Sequence, residues 1–477
     1  MKKTLIDIML LCCLPIAAFA ATDTYEIDID NHWQKHEGWG VSLCWWANVC
    51  GKWDERKVDE LVDWLVSPEG LNYNIFRYNI GGGDDPMNGH CKPHHMGEGK
   101  GLRAEMEGFK DSMDGTYIWN RDEGQRRILL KIKERRPDAI FEAFSNSAPF
   151  FMTYSGCCSG NRKAGMDNLK PENYKAFAQY LIDVCRHYKE TYGIEFATLD
   201  PFNEPNTNYW YAGGTQEGCH FDPQSQVEFL EILAPMLQSS GLNTSISAPD
   251  ETNVGQAIEE IHTYRKAGAL HLVGQWNTHT YGDSIKEKKE LGKLVREEGL
   301  RLWMSETGDG GKGIKGNLKM GQRLMDDIRY LQPDAWLDWQ YVEEWNDQWC
   351  FVKAHFADQT YNRVKNYYVR QQFTKFIKAG YTFVESGCEQ TLAAIDEKGE
   401  TLVLVALNNS DKPRTHKAIL KNCHQTDQAK AFVTDSEHDL QPTTAFRQNG
   451  QKMAFTLLPQ SITTFVIPIN RHSSWTR

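Results

Sequence analysis

The chain has 477 residues, 40% of them hydrophobic, enough to bury the core of a large barrel domain plus a smaller one. Its 53 basic residues stand against 64 acidic ones, a formal net charge of -11. Neutralising phosphate needs clustered Lys and Arg, so this balance argues against nucleic-acid and anionic-membrane partners.

Residues 1–20 read as a signal peptide. Lys2 and Lys3 precede an apolar stretch from Ile6 to Phe19, broken by Asp7 and Pro15. Ala18-Phe19-Ala20 is a small-x-small cleavage pattern that would start the mature chain near Ala21. The stretch is short for a bilayer span. Leu11 stands before Cys12, where a lipoprotein signal wants a small residue. The expectation is export to the periplasm or the extracellular space, with surface anchoring as a lipoprotein the weaker option. Of the 12 cysteines, Cys12 and Cys13 fall in this segment. Export permits disulfides, and Cys44 with Cys50 can close a loop; buried free thiols fit equally well.

TDTYEIDID lies in residues 21–35 and is strand-like, but it fits no barrel unit. It is expected to cross over and pair with the C-terminal sheet. Residues 36–380 then alternate short apolar runs with amphipathic helical segments. The predicted strands are Gly38 to Trp45, Tyr73 to Ile80, Ala139 to Ser145, Phe196 to Phe202, Thr244 to Ala248, Leu272 to Thr278, Leu302 to Ser305 and Ala335 to Tyr341. Helical spacing marks residues 54–66, 172–192 and 367–379. Eight strand-then-helix units predict a (β/α)8 TIM barrel. A doubly wound sheet is the alternative, but no Gly-rich phosphate loop follows the first strand. Residues 381–477 change to short β-branched runs between turns, which predicts an appended β-sandwich.

In a (β/α)8 barrel the C-terminal strand ends build the active site. The fourth strand runs into Asp200-Pro-Phe-Asn203-Glu204-Pro205, and the seventh into Ser305-Glu306. These strands lie on opposite sides of the barrel, so the two carboxylates can face each other across its mouth. Facing carboxylates are what glycoside hydrolysis requires, and a spacing of roughly 5 Å gives retention through a covalent intermediate. Glu204 is then the acid/base and Glu306 the nucleophile. The like charge of Glu306 would help keep Glu204 protonated. Asn203, beside the acid/base, can hold a sugar 2-hydroxyl. Asp200 and Glu195 are rival acids on the fourth strand; Asp200 can bond backbone inside the barrel, and Glu195 comes too early. The bland reading of any one acid is a solvated loop residue.

The segments GWGVSLCWWA (38–47), FRYNIGGGDD (76–85), EAFSNSAPFFM (142–152), DPFNEPN (200–206), NTHTY (277–281), WMSETG (303–308) and YYVRQQFTKFIKAGY (367–381) together resemble glycoside hydrolase family 30. The resemblance covers essentially the whole mature chain and is strongest to the endo-β-1,6-galactanase branch. It implies that Arg77 hydrogen-bonds near the nucleophile and that Asp84 binds hydroxyls on the non-reducing side. It also implies that Tyr281 contacts Glu306 and His279 lines the cleft. Trp339 would be the stacking floor under the sugar. Trp45 and Trp46 offer the same role, with one of the two expected to be buried. Each of these residues has a structural alternative: an ion pair for Arg77, a turn for Asp84, a satisfied core histidine for His279 and core packing for the tryptophans. Asn146 stands where many relatives have Trp, which argues against a glucosyl specificity.

The implied substrate is β-1,6-galactan, such as arabinogalactan side chains. The alternatives are the same chemistry on β-1,6-glucan, β-glucosyl conjugates or xylan, or a non-catalytic glycan-binding protein. Such a binding protein is expected to lack one of the two carboxylates. Retaining hydrolysis by two glutamates needs no metal or cofactor. His90, Cys91, His94 and His95 in the long 81–120 segment could ligate a metal, but HCKPHH lacks a second ligand cluster, and a substrate-shaping loop is the better reading.

Overall fold

The computed structural model describes residues 21–83, 106–308, 310–345, 347–444 and 446–471. The signal-peptide segment, Asp84 and the HCKPHH stretch lie outside the described residues. Eight parallel strands close a barrel. They are β2 (Gly38–Ser42), β3 (Ile75–Asn79), β4 (Ile140–Phe144), β5 (Thr198–Asp200), β6 (Ser245–Glu251), β7 (Gln275–His279), β8 (Arg301–Glu306) and β9 (Ala335–Asp338). The barrel closes where Gly38 to Val41 of β2 pair in parallel with Ala335 to Asp338 of β9. Apolar residues fill its lower interior, with Ile75, Trp303, Ala335 and Leu337 forming one buried cluster. Toward the mouth the interior turns polar, and this is where the site is built.

The outer helices are α1 (Trp46–Cys50), α2 (Glu55–Val66), α3 (Glu123–Arg135), α4 (Tyr174–Tyr192), α5 (Pro223–Gln238), α6 (Val254–Ala267), α7 (Ile285–Glu297), α8 (Gly313–Asp326) and α9 (Lys365–Thr374). Local chemistry sets several of their ends. The Asp54 side chain accepts from Arg56 N–H at the start of α2. Ser284 and Glu287 form a capping box on α7. α4 stops at Gly193, whose φ of 62° is the left-handed conformation that glycine adopts without strain. α9 ends at Thr374, short of the expected 379.

Between β9 and α9 lies a small sheet that the sequence did not announce, of β10 (Val342–Glu344), β11 (Val352–His355) and β12 (Thr360–Arg363). Its strands are too short and too polar to show an alternating pattern. Tyr361 of β12 meets Trp53 and Trp64, which fixes this sheet against α2.

The second domain joins β1 (Ala21–Lys35) to β13 (Thr382–Glu385), β14 (Thr391–Ile395), β15 (Thr401–Asn408), β16 (Arg414–Lys421), β17 (Cys423–Gln425), β18 (Lys430–Thr434), β19 (Gln441–Thr443), β20 (Phe446–Asn449), β21 (Lys452–Leu457) and β22 (Ser461–Arg471). β1 lies between β13, antiparallel to it, and β16, parallel to it. Strand alternation gives β15 two working faces. Val403, Val405 and Leu407 join the core shared with the barrel. Leu402, Leu404 and Ala406 face the sandwich interior with Ile27, Ile29 and Phe465. Among the described residues no helix is long and apolar enough to cross a membrane. Cys44 and Cys50 are buried and unbridged, so the loop-closing option for that pair does not hold.

Ile27 is fully buried in the sandwich core. Replacing it with Ala should cost about 3 kcal/mol by lost burial and cavity formation. The exposed Thr24→Ala on the same strand should stay within about 0.5 kcal/mol. Urea denaturation of the two variants checks the difference.

Candidate active site

Glu306 is the last residue of β8 and Glu204 lies four residues past β5, so both stand at the barrel mouth. Glu204 holds a positive φ of 49°. Its N–H donates to Asp250 O at 2.9 Å, and its carbonyl accepts from Trp210 Nε1 at 2.9 Å and Thr207 Oγ1 at 3.2 Å. Three backbone ties thus hold a conformation that a non-glycine residue adopts at a cost. One side-chain atom each from Glu204, His279 and Glu306 lies within 4.8 Å of the others.

Each carboxylate has its own partners. Tyr209 Oη donates to Glu204 Oε2 at 2.5 Å, and His279 Nδ1 is 3.1 Å from Glu204 Oε1. Tyr281 Oη donates to Glu306 Oε1 at 3.1 Å. Arg77 Nη1 is 3.6 Å from Glu306 Oε2. Arg77 is fully buried; its Nε donates to Glu142 Oε1 at 2.8 Å, its Nη2 donates to Asp250, and its guanidinium lies 4.1 Å above the Phe144 ring. His279 Nε2 lies 3.2 Å from Asp250 Oδ1.

The structure brings Arg77, Asn203, His279, Tyr281, Glu204 and Glu306 to one mouth. Asn203 is buried next to Glu204, and its Oδ1 has no hydrogen-bond partner among the described residues. Trp339 is half-buried just past β9 and meets Trp45 edge-on at 5.0 Å. Trp45 and Trp46 are both buried, which corrects the expectation that only one would be. Trp46 packs on Tyr341 and donates to Ser42 O, while Trp45 backs the Trp339 ring. Asn146 donates to Asn79 Oδ1 at 3.2 Å and lies 3.8 Å from Cys44 Sγ. Asp200 accepts from Phe202 N–H and Asn277 Nδ2 inside the barrel. Glu195 is exposed and pairs with Lys189.

Sequence reasoning missed Tyr209, Asp250 and Glu142. Asp250 had a readable signal, because β6 continues past Ala248 through Pro-Asp-Glu, so that this strand too runs into acids, like the fourth and seventh barrel strands. Glu142 sits within an apolar strand and looks anomalous only once its partners are known. Tyr209 lies in an irregular loop with no periodic signal.

A model of O-glycosyl hydrolase family 30 matches residues 22–295. The chain belongs to glycoside hydrolase family 30. It is a glycoside hydrolase, 32% identical over 409 residues to an endo-β-1,6-galactanase of Hypocrea rufa, covering 81% of each chain. It is 26% identical over 433 residues to an exo-β-1,6-galactobiohydrolase of Bifidobacterium longum, matching 69% of this chain but 28% of that longer protein. In fold it resembles a conserved exported protein from Bacteroides fragilis, with a TM-score of 0.79 at 19% identity, covering 93% of this chain and 100% of the other.

The electrostatics of this hydrolase follow from burial. Burial raises the Glu306 carboxyl to about 7; His279 opposes the rise, Glu204 adds to it, Arg77 opposes it and Asp250 adds to it. Burial opposes charge on His279, yet Glu306 and Asp250 lift its pKa well above the ordinary imidazole value. Both ring nitrogens face carboxylate oxygens, which suits an imidazolium donating on both sides. Burial likewise works against the Asp250 carboxylate, but Arg77 and then His279 hold it below the usual carboxylate range.

Arg77→Met would leave Glu142 and Asp250 buried without their cation. The expected loss of stability is about 3–5 kcal/mol, read as a fall in the thermal and urea midpoints. An unchanged midpoint would show that the carboxylates do not depend on Arg77.

Proposed function

We propose that this enzyme cleaves β-1,6-linked galactan by double displacement, with Glu204 as acid/base and Glu306 as nucleophile. The observation that carries the mechanism is the approach of a Glu204 oxygen and a Glu306 oxygen to within 4.8 Å. That spacing leaves no room for the water an inverting pair needs between its carboxyl groups and fits direct attack by one of them. In the first step Glu306 bonds to the anomeric carbon while Glu204 protonates the departing glycosidic oxygen. In the second, Glu204 takes a proton from water, whose oxygen attacks the anomeric carbon and frees Glu306.

The neighbours support this division of labour. Arg77 and Tyr281 address Glu306 and favour its ionised form, while Tyr209 orients Glu204. Asn203 offers an amide beside the acid/base for the sugar 2-hydroxyl, and Trp339 offers an apolar floor for the ring. The role expected of Asp84 on the non-reducing side belongs to the same proposal. Similarity to the two β-1,6-galactan-directed relatives supports the substrate. Exposed rings at Tyr154, Tyr209, Tyr211 and Trp345 stand on loops that leave the mouth end of the barrel. They give a long chain stacking surfaces beyond the cleavage point, which favours endo action. Action outside the cytoplasm is part of the same reading, supported by the apolar N-terminal segment and by the disulfide at Cys157.

Glu306 attacks as the carboxylate, and its carboxyl is lifted to about 7, so activity should fall as pH drops through that value and the nucleophile takes up a proton. The kcat/KM profile should therefore show an acid limb near 7. Glu204→Ala, assayed on a glycoside with a good leaving group, should move that limb to lower pH, because Glu204 adds to the rise.

Glu204→Gln should lower turnover of unactivated substrate by about 10²–10⁴-fold, and Glu306→Gln should abolish it. Azide should rescue Glu306→Ala with inverted product. It should rescue Glu204→Ala with retained product, and only for a good leaving group. Product analysis on de-arabinosylated arabinogalactan tests the substrate. Activity on β-1,6-glucan with none on β-1,6-galactan would overturn it.

A further inference from the structure

A line of buried polar groups behind the barrel mouth has a polarity that the backbone dictates. It starts at Glu217, in the loop after β5, whose side chain is fully buried. Glu217 Oε1 accepts from Gly82 N–H at 2.8 Å, and Oε2 accepts from Asn79 Nδ2 at 2.9 Å. Asn79 ends β3. Its Oδ1 accepts from both the backbone N–H and the Nδ2 of Asn146, each at 3.2 Å. Asn146 lies two residues past β4.

A side-chain amide can be turned over, exchanging oxygen for nitrogen, so its orientation has to be argued from its partners. Backbone N–H groups only donate, and two of them settle the matter. Turning Asn79 over would set its NH2 against the Asn146 N–H and its oxygen against the Glu217 carboxylate. Turning Asn146 over would set its oxygen against Asn79 Oδ1. Each reversal leaves buried groups unpaired at about 1–3 kcal/mol apiece. Polarity therefore runs one way, from Glu217 through Asn79 to Asn146. The group left over is Asn146 Oδ1, an acceptor with no hydrogen-bond partner among the described residues. Asn146 also touches Cys44, which clusters with Trp45 and with the Trp339 ring.

We propose that Asn146 Oδ1 is a preset acceptor for the axial O4 hydroxyl of the galactosyl ring over Trp339, and that Glu217 and Asn79 are positioning residues that fix its polarity. The assignment to O4 rests on the galactan reading above. In a β-1,6-linked chain, O1 and O6 are spent in linkages. O2 belongs beside the anomeric carbon, near Asn203. O3 is shared by galactosyl and glucosyl units alike. Only C4 differs between the two sugars, so an acceptor that selects galactan has to read O4. A fixed oxygen does this at little cost, because its orientation is paid for by bonds already made in the empty enzyme.

The test compares kcat/KM on β-1,6-galacto- and β-1,6-gluco-oligosaccharides of equal length. Asn146→Ala should lower the galacto-to-gluco ratio by roughly 10- to 100-fold, the effect of one lost hydrogen bond to a fixed acceptor. Glu217→Gln presents an NH2 to Asn79 Nδ2, and it should lower the same ratio by a smaller factor. Structural damage alone would lower both rates together, and an unchanged ratio in both variants overturns the proposal. A third arm needs no variant: wild-type enzyme should cleave a substrate carrying a 4-deoxygalactosyl unit in the cleaved position 10- to 100-fold more slowly, on the same reasoning. Equal rates on the parent and the 4-deoxy substrate also overturn it. Wild-type preference for the gluco series is a separate result; it removes the galactan reading, and the O4 assignment falls with it.

Discussion

One guanidinium, buried at the barrel mouth, organises this site. Arg77 projects from β3 and engages Glu142 on β4 and Asp250 on β6 while facing Glu306 on β8. An isolated carboxylate at any of these positions would pay a desolvation cost of several kcal/mol. A planar, always-charged fork lets them share one cation in fixed directions. The partners are second-order constraints in turn. Glu142 also accepts from Thr198, Ser247, Gln275 and Asn277, which lie on β5, β6 and β7. The position of the Glu306 carboxylate is therefore set by most of the barrel rather than by its own strand.

His279 supplies the second charge, and Asp250 connects it to the first. Asp250 receives Arg77 on one oxygen; its other oxygen accepts from Ser305 at 2.5 Å and lies 3.2 Å from His279. The same residue's backbone carbonyl accepts the Glu204 N–H. A single aspartate thus registers the Glu204 loop against the Glu306 strand. This is the physical content of two carboxylates at a fixed short spacing: Glu204 cannot move without breaking its backbone hydrogen bond to Asp250, nor Glu306 without losing Arg77 and His279, both of which pair with Asp250.

The barrel and the two glutamates were legible because both are written in local patterns. An apolar run followed by an acid marks a strand that opens at the mouth, and Glu204 and Glu306 each follow such a run. The family motifs then pointed to Arg77, His279 and Tyr281. What stayed hidden was written across distance. Glu142 reads as an oddity in a strand until five other residues surround it. Asp250 was lost because the expected strand ended three residues early, at Ala248 rather than Glu251. Tyr209 and Glu217 sit in the irregular loop after β5, where no period reveals which side chain turns inward. Trp45 and Trp46 are adjacent and chemically identical, and only their partners separate a platform-backing ring from a core ring.

The sandwich domain reaches the site through α9, which explains why two domains share one core. On the sheet side, Thr464 of β22 donates to Gln372 O at 2.6 Å, and Gln372 Nε2 donates to Thr434 of β18 at 2.8 Å. On the barrel side of the same helix, Arg370 Nη2 donates to Asp338 at 2.7 Å, and Tyr73 Oη donates to the other Asp338 oxygen at 2.5 Å. Asp338 is the last residue of β9, and the next residue is Trp339, whose N–H donates to Thr307 O at 2.9 Å. The ring proposed as the sugar floor is thereby clamped between a helix held by the sheet and the residue that follows Glu306. Burial lifts the Asp338 carboxyl to about 6, with Arg370 and then Tyr73 opposing the rise. The clamp is therefore ionic at neutral pH and weakens on acidification, so the accessory sheet bears on the geometry of the floor through a charge and not through bulk alone.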